Sequence, residues 1–504
     1  MPSEAQSDTP GTGFPKQKDA CDTMSRLSFS SIVLSLATLA VCYIQAWPGR
    51  AENISESNKL SSEPSPIYIM EEQEYKIPYG RFYLNSKPLW ENNFKAPIAW
   101  LSVSNRLLNV GSLFAKRITS YDITSGLAIW NTFVSAPIAS PPLYLDNILI
   151  ANAKDCSVNS LDTISGETKY WVLPFPYDRL IQESKKKLSE SVQSSSERLS
   201  AAQAMAKAKE KAKERQFRNQ LLRLKFNTLP RLSYSSPCQG KEKIVCLSGD
   251  GIITQFAADG TNADWYLLEC NGISNKPFIS SPAIQIFSNK NSEYLYAISL
   301  NGRLWSVDLN DPNTSVSQRV GSGHLEFRQP LRIVKNFLYA TASNGHIFCY
   351  ALGASSEGDQ YFRPKLVWRY IQAKHSGEQT NSQGVLINTP SFDFHKPRCF
   401  FINDNSIVSL ASLSGKLLWR YQSTKHFSTP ALYWNGSILA ATENQSLLVL
   451  DAESGRLKQE YSLPFTPSCP LVVDDKYLYI GGAQGQIACF EIGDVPSDLL
   501  KDNS

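Results

Sequence analysis

The stretch "LASLSGKLLWRYQ", residues 410–422, combines an apolar run, a Ser-Gly turn and a second run that carries a tryptophan. The frame returns as "LDAESGRLKQEYS" (450–462), "YDITSGLAIWNTF" (121–133) and "LDTISGETKYWVL" (161–173). A glycine stands at the same place in each copy, where a tight turn needs a positive φ. Ser and Asp side chains can close such a turn by bonding nearby amides. The repeat predicts strand–turn–strand units, with glycines Gly126, Gly166, Gly415 and Gly455.

Tryptophans follow three of the four turns, at Trp130, Trp171 and Trp419. Two further stretches are interpreted as degenerate copies of the same turn. They are "FAADGTNADWYLL", with Gly260 and Trp265, and "LNGRLWSVDL", with Gly302 and Trp305.

A proline that opens an apolar strand is the second repeated marker. The intervals between these prolines are 45, 95, 45, 48, 60, 40 and 40 residues, and we interpret the long one as a single insertion. Units of about 40–50 residues with several short strands are typical of β-propeller blades. We therefore predict an all-β propeller over residues 75–495, with seven or eight blades and eight favoured, and a tail over 496–504. The markers are Pro97, Pro142, Pro237, Pro282, Pro330, Pro390, Pro430 and Pro470.

The last unit ends after "IACFEI" with only three strands, whereas a lone strand, "KPLWENNF", precedes the first marker. We expect this strand, around Trp90, to complete the last blade and close the ring. Closure of this kind removes open sheet edges.

The pattern Asp-x-x-Ser-Gly-x-x-x-Trp, with a proline-led strand between copies, resembles the pyrroloquinoline-quinone repeat. That family includes eight-bladed quinoprotein dehydrogenases and a non-catalytic propeller of bacterial outer-membrane assembly. The resemblance implies a quinoprotein-like propeller whose tryptophans dock between neighbouring blades. In plan, the chain is also similar to plant gamete-expressed membrane proteins that carry such propellers.

The residues offer no catalytic set. Quinone-binding relatives commonly carry two adjacent cysteines and hold Ca²⁺ with carboxylate and amide oxygens; no Cys-Cys pair occurs here. Asp122, Asp162 and Asp451 lie on the repeated turns, where we expect them to close the turn. None of the five histidines is paired at metal-ligand spacing. We expect a non-enzymatic protein with no cofactor or metal; the alternatives are a quinone-dependent dehydrogenase and a ligand-sensing propeller.

The amino-terminal part differs from the rest in composition. Residues 1–26 are polar and predicted to be a disordered cytosolic tail. Residues 27–47 carry no charge over 21 positions, long enough to span a bilayer core of about 30 Å. Positive charge precedes this segment, which predicts a type II signal-anchor followed by a linker over 48–74. A cleaved signal peptide is the alternative.

Either topology places the propeller in the secretory lumen or at the cell surface. Four Asn-x-Ser/Thr sequons follow the membrane segment and are candidate glycosylation sites: Asn53, Asn313, Asn435 and Asn444. Eight of the ten cysteines also follow it, and an oxidising compartment would allow some to pair. Cys238 and Cys246 are the candidate disulfide, across a predicted hairpin.

Residues 177–226 contain neither Gly nor Pro and are rich in helix-forming residues. We predict a helical insertion, with thirteen Lys or Arg against six Asp or Glu. It is either a solvated helix or an arm that docks an acidic partner. The candidate docking residues are Lys207, Lys209, Lys211 and Lys213. The near-balanced charge of the chain, +4, gives no indication of nucleic-acid binding. The favoured function is thus a membrane-anchored scaffold that binds proteins through its rim or this arm.

Overall fold

A computed structural model shows 33 β-strands arranged in eight antiparallel sheets. Seven sheets have four strands, and the eighth has five. No helix occurs among the residues that the structure describes. The predictions of an all-β propeller and of eight blades are therefore confirmed. The described residues are 82–85, 87–172, 235–268, 278, 281–287, 292–311, 315–321, 325–343, 345–353, 363–371, 389–403 and 405–494.

Seven blades are built from four strands that are consecutive along the chain and pair with their neighbours. Blade 1 comprises β3 (Ile98–Ser104), β4 (Leu107–Ser112), β5 (Arg117–Asp122) and β6 (Ala128–Phe133). Blade 2 comprises β7 (Leu143–Leu145), β8 (Ile148–Asn152), β9 (Val158–Asp162) and β10 (Thr168–Val172). Blade 3 comprises β11 (Cys238–Gln239), β12 (Lys243–Leu247), β13 (Ile252–Ala257) and β14 (Asp264–Leu267). Blade 4 comprises β15 (Ala283–Phe287), β16 (Ser292–Ile298), β17 (Arg303–Asp308) and β18 (Val316–Arg319).

The remaining blades follow the same order, except that the last borrows its outer strands from the amino-terminal side. Blade 5 comprises β19 (Arg332–Val334), β20 (Phe337–Thr341), β21 (Ile347–Ala351) and β22 (Lys365–Tyr370). Blade 6 comprises β23 (Ser391–Asp393), β24 (Arg398–Asn403), β25 (Ser406–Ala411) and β26 (Leu417–Gln422). Blade 7 comprises β27 (Leu432–Trp434), β28 (Ser437–Ala441), β29 (Ser446–Asp451) and β30 (Leu457–Ser462). Blade 8 comprises β31 (Val472–Asp474), β32 (Tyr477–Gly481), β33 (Gln486–Asp494), β1 (Phe82–Leu84) and β2 (Trp90–Asn93).

Each proline marker precedes the first strand of one blade. Pro97 stands directly before β3, and Pro470 stands two residues before β31. Proline has no N–H to donate and a fixed φ, which suits the entry to a strand. The 95-residue interval falls between blades 2 and 3, and no blade is missing from the ring, so its interpretation as an insertion agrees with the topology.

The ring is closed by the amino-terminal strands. Trp90 pairs with Cys489 and Asn93 with Gln486, so β2 becomes the outer strand of blade 8. The short strand β1 pairs with the far end of β33, with Leu84 opposite Ile492. The predicted closure is therefore confirmed, and it joins the first and last described segments in one sheet.

The hydrophobic core lies between blades rather than inside any one of them. The interface of blades 5 and 6, for example, buries Tyr339 and Trp368 from one blade against Phe401 and Leu410 from the other. A single blade has two apolar faces and cannot bury both, so each face is covered by the next blade.

Several predicted segments lie outside the described residues. They are the tail 1–26, the anchor 27–47, the linker 48–74, the insertion 177–226 and the tail 496–504. The part of the chain that the structure describes contains no helix long and apolar enough to cross a membrane.

Candidate functional site

Neighbouring strands of each blade run antiparallel, so the turns that join them lie alternately on two rims of the disc. We call rim A the edge that carries the turns between first and second strands and between third and fourth strands. In blade 7 these are Asn435–Gly436 and Ala452–Arg456. Rim B carries the turns between second and third strands and the connections from one blade to the next. The turn at Glu443–Gln445 and the connection at 463–471 are its blade 7 members.

The repeated Asp-x-x-Ser-Gly turn belongs to rim A and is closed by its aspartate. In blade 1, Oδ1 of Asp122 accepts hydrogen bonds from the amides of Thr124 (3.1 Å) and Ser125 (2.7 Å). Blade 2 repeats the arrangement at Asp162, and blade 7 repeats it at Asp451. The role in turn closure expected for all three carboxylates is confirmed.

These hydrogen bonds also hold the carboxylates in their charged form. The Ser165 amide and then Lys169, whose Nζ lies 3.2 Å from Oδ2, lower the pKa of Asp162 to about 2. The Ser125 amide and hydroxyl lower the pKa of Asp122. Donors that bond only to the ionised form favour it in this way. The turns are therefore rigid, charged elements of rim A at neutral pH.

Each of these turns receives an aromatic ring from the preceding blade. Nε1 of Trp90 donates to the carbonyl oxygen of Ile123 at 2.9 Å, and its ring covers Gly126. Trp130 of blade 1 likewise docks on the turn of blade 2, where its Nε1 donates to the carbonyl oxygen of Thr163 at 3.0 Å. Two further blade interfaces repeat this geometry: Trp368 donates to Ser412 at 2.9 Å, and Trp419 to Ala452 at 3.0 Å. The docking role implied by the resemblance is confirmed at Trp130 and Trp419.

Trp171 departs from the prediction, because its neighbour takes the docking role. Tyr170 lies opposite Ser160 in the register and covers Gly260 of blade 3. Side chains alternate across a strand, so Trp171 points the other way and is 54% exposed. The interpretation of Trp171 as a packing residue equivalent to Trp130 was wrong.

Gly302 is also not a copy of the repeated turn. It lies between β16 and β17, a second-to-third-strand turn on rim B, where its amide donates to Ser299 at 2.8 Å. Gly302 packs against Phe327 rather than an indole, and Trp305 lies on the third strand. The stretch resembled the repeat because both turns need a positive φ, 78° at Gly302.

Sequence reasoning missed Trp90 and Trp368 as docking residues. Trp90, Trp130 and Trp419 each precede the glycine that they cover by 36 residues, a spacing that the sequence itself displays. Trp368 precedes Gly415 by 47 residues because the connection between blades 5 and 6 is longer. A tryptophan 36 residues ahead of Gly126, Gly166 and Gly455 was the available signal.

The structure places Cys238 and Cys246 on opposite faces of blade 3. Cys238 lies opposite Val245, which packs toward blade 4, and its Sγ is 3.1 Å from the carbonyl oxygen of Pro282. Cys246 packs toward blade 2, in the cluster that contains Phe256. The two sulfurs are not joined in the structure, and this register does not favour the pairing expected from the hairpin.

Two other cysteines occupy a small-residue position of the repeat. On the third strand, the residue opposite the docking aromatic is Ser120, Ser160 or Ser409 in blades 1, 2 and 6. Cys349 and Cys489 take this place opposite Trp368 and Trp90. Burial raises the pKa of each thiol to about 12, so neither is a thiolate at neutral pH. Their place in the repeat explains them as packing residues.

Only two of the predicted glycosylation and partner-docking residues lie among the described residues. Asn435 and Asn444 are both exposed, the first on a rim A turn of blade 7 and the second on a rim B turn. Asn53, Asn313 and the docking candidates Lys207, Lys209, Lys211 and Lys213 lie outside the described residues.

The side chains that commonly bind metal ions are dispersed over the described blades. Within the described ranges, no group of three or more His, Cys, Asp or Glu side chains is arranged to hold a metal ion. The aspartates of the repeat are instead spread around rim A, one per turn.

Comparison with known proteins supports the repeat assignment. Residues 364–495 match the family model described as outer membrane protein assembly factor BamB. No curated protein sequence matches the chain. The fold defines an eight-bladed propeller of the pyrroloquinoline-quinone-like repeat type, and the resemblance predicted from the sequence is confirmed.

Solved structures of diverse proteins share this fold. BamB from Moraxella catarrhalis is similar with a TM-score of 0.53 and 11% identity, over 81% of this chain and 100% of that one. Quinohemoprotein alcohol dehydrogenase from Comamonas testosteroni has a TM-score of 0.53 and 10% identity, over 82% and 76%. Saccharomyces cerevisiae Sqt1 has a TM-score of 0.55 and 9% identity, over 82% and 100%. At these identities the similarity concerns the fold alone.

Proposed function

We propose that this protein is a membrane-anchored, extracytoplasmic scaffold that binds other proteins without catalysing a reaction. The observation that carries the proposal is the construction of rim A. Its turns come from all blades of a closed disc. Aspartates close the repeated turns of blades 1, 2 and 7, and a docked aromatic ring packs on the repeated turns of blades 1, 2, 3, 6 and 7. Loops positioned by a rigid framework are well suited to recognition, since little conformational entropy is lost on binding.

Anchoring and topology rest on the uncharged segment 27–47 and on the sequons. Exposed turns are where glycans are accommodated, and both Asn435 and Asn444 lie on such turns. Glycosidase treatment of the chain made in a eukaryotic cell should increase its gel mobility. Asn435→Gln and Asn444→Gln should each remove part of that shift. No shift, together with carboxyl-terminal epitopes that become accessible only after the plasma membrane alone is permeabilised, would reverse the topology.

The arm over residues 177–226 is the second candidate docking element. Replacing residues 180–226 with a short Gly/Ser linker should leave the propeller folded, because the flanking blades 2 and 3 are complete without it. If the arm binds the partner, this deletion should abolish partner cross-linking in intact membranes. Charge reversal at Lys207, Lys209, Lys211 and Lys213 should then weaken cross-linking in a salt-dependent way. Retained cross-linking would assign binding to the propeller rim.

The absence of catalysis is tested by reconstitution. The full chain, supplied with pyrroloquinoline quinone and Ca²⁺, should not reduce an electron-acceptor dye with primary alcohols or sugars as donors. Saturable turnover that disappears when the quinone is omitted would contradict the scaffold proposal and favour the dehydrogenase alternative.

A further inference from the structure

Blade 6 carries a turn on rim A that differs from those of its neighbours. Its first and second strands are joined by four residues, Phe394 to Pro397, whereas blade 7 uses the two-residue turn Asn435–Gly436. Phe394 is 73% exposed at the tip of this longer turn. A large exposed aromatic on a rigid framework is typical of the residues that anchor protein interfaces.

The turn is held in place by hydrogen bonds that its backbone makes with the Asp393 side chain and with the adjoining turn. Oδ1 of the buried Asp393 accepts hydrogen bonds from the amides of His395 (2.9 Å) and Lys396 (3.2 Å). The carbonyl oxygen of Pro397 accepts one from the amide of Ser412 at 2.7 Å. The backbone that carries Phe394 is therefore held in one conformation, so binding costs little backbone entropy at this turn.

A second apolar side chain lies on the adjoining turn. Leu413 directly follows Ser412 and is 51% exposed. The contact between Ser412 and Pro397 brings the two turns of blade 6 side by side. Phe394 and Leu413 together form the apolar part of a surface that we call the blade 6 patch; its charged part consists of Lys396, Arg398, Lys416 and Glu453.

The charged part of the patch carries an excess of cations. Glu453 of blade 7 forms salt bridges with both Lys396 and Arg398. Nη2 of Arg398 lies 2.7 Å from Oε1 of Glu453. Lys416 is exposed on the turn of Leu413 and adds a third cation. Three cations against two carboxylates, Glu453 and the buried Asp393, leave the patch with a net positive charge, so it complements a negatively charged ligand.

We infer that the blade 6 patch binds a protein segment that combines apolar and acidic side chains; the inference rests on the proposed scaffold function and names its binding site. The apolar groups would pack against Phe394 and Leu413, and the carboxylates would pair with Lys416 and with the cations that share Glu453. The rest of rim A argues for a short peptide rather than an anionic membrane. Exposed aspartates on other turns of the same rim, such as Asp146, Asp259 and Asp475, would repel a flat anionic surface.

The test uses the full chain in a non-ionic detergent and a short fluorescein-labelled peptide of alternating acidic and Leu or Phe residues. Fluorescence anisotropy gives the Kd. Phe394→Ser and Lys416→Glu should each raise the Kd by about tenfold or more. Glu453→Gln should lower it several-fold, because it frees two cations. The matched control is Phe133→Ser on β6, a side chain similarly exposed at 78%, which should leave the Kd unchanged.

Other results would overturn the inference. An unchanged Kd in Phe394→Ser, or an equal loss in Phe133→Ser, would show that the peptide does not recognise this patch. Displacement of the peptide by glycerophosphoserine at an equal concentration would assign the patch to lipid headgroups. No peptide binding at all, with partner cross-linking retained in Phe394→Ser membranes, would reject the patch and leave the scaffold proposal standing.

Discussion

The indole of Trp90 covers Gly126, and this contact joins an amino-terminal strand of blade 8 to the turn between the third and fourth strands of blade 1. A Cβ added to Gly126 would lie 2.5 Å from Cδ2 of Trp90, closer than atoms can approach. The same indole donates its hydrogen bond to Ile123 of that turn. One aromatic residue therefore contributes both to the sheet that closes the ring and to the interface with the next blade.

Gly126→Ala should destabilise the propeller by about 2–5 kcal/mol, combining left-handed strain and overpacking. The backbone φ of +70° disfavours alanine, and the methyl group displaces the Trp90 ring. Gly493→Ala is the matched control, because nothing lies within 4 Å of the added Cβ. Thermal unfolding of the two variants measures the difference. Equal melting temperatures would mean that the Trp90 contact does not stabilise the ring.

Removal of residues 1–96 should lower the melting temperature far more than removal of residues 1–74. The longer truncation deletes β1 and β2, which exposes the edge of β33 and the apolar residues Phe490 and Ile492. The shorter truncation leaves both strands in place. Aggregation should also increase in the longer truncation, since an open sheet edge can pair with another molecule. Indistinguishable melting curves would reject closure by the amino-terminal strands.

Tyr170→Ala should destabilise the protein by about 3 kcal/mol or more, because it removes a ring packed between blades 2 and 3. Trp171→Ala should change stability by no more than about 0.5 kcal/mol, since its side chain is largely exposed. Chemical denaturation of both variants tests the assignment. The opposite order would restore Trp171 as the docking residue.

Asp162 should contribute to acid stability in a defined pH window. Its pKa falls from an unfolded value of about 3.9 to about 2, so its contribution is present above pH 4 and is lost as the pH falls toward 2. Asp162→Asn removes this titration. The difference in melting temperature between wild type and variant should be constant above about pH 5 and shrink below pH 4. A constant difference down to pH 2 would show that the carboxylate is not stabilised by its turn.

The propeller architecture could be predicted from the sequence because it depends on the conformational preferences of single residues. The prolines mark strand entries, and glycines such as Gly126 and Gly455 mark turns that require positive φ, both of which are properties of single residues. The blade count followed from these markers, and the incomplete last unit predicted the closure by Trp90.

Features that depend on which face of a strand points inward could not be predicted from the sequence. Tyr170 and Trp171 are adjacent aromatics, and only the register opposite Ser160 decides which one docks. Cys238 and Cys246 are eight residues apart on paired strands, yet they face different blades. The blade 6 patch was likewise missed, because it arises where turns of two blades meet at Glu453.

The central claim, that rim A is a protein-binding surface outside the cytosol, is tested most directly by photo-cross-linking in intact membranes. A photoreactive residue is placed at position 414 on rim A, and another at position 95 on rim B, of the full chain, so that Lys416 and Phe394 are kept. Mass spectrometry should identify one dominant protein adduct from position 414, lost in Phe394→Ser and retained in Phe133→Ser. Absence of any protein adduct at position 414, or the same mixture of adducts at both positions, would contradict the account.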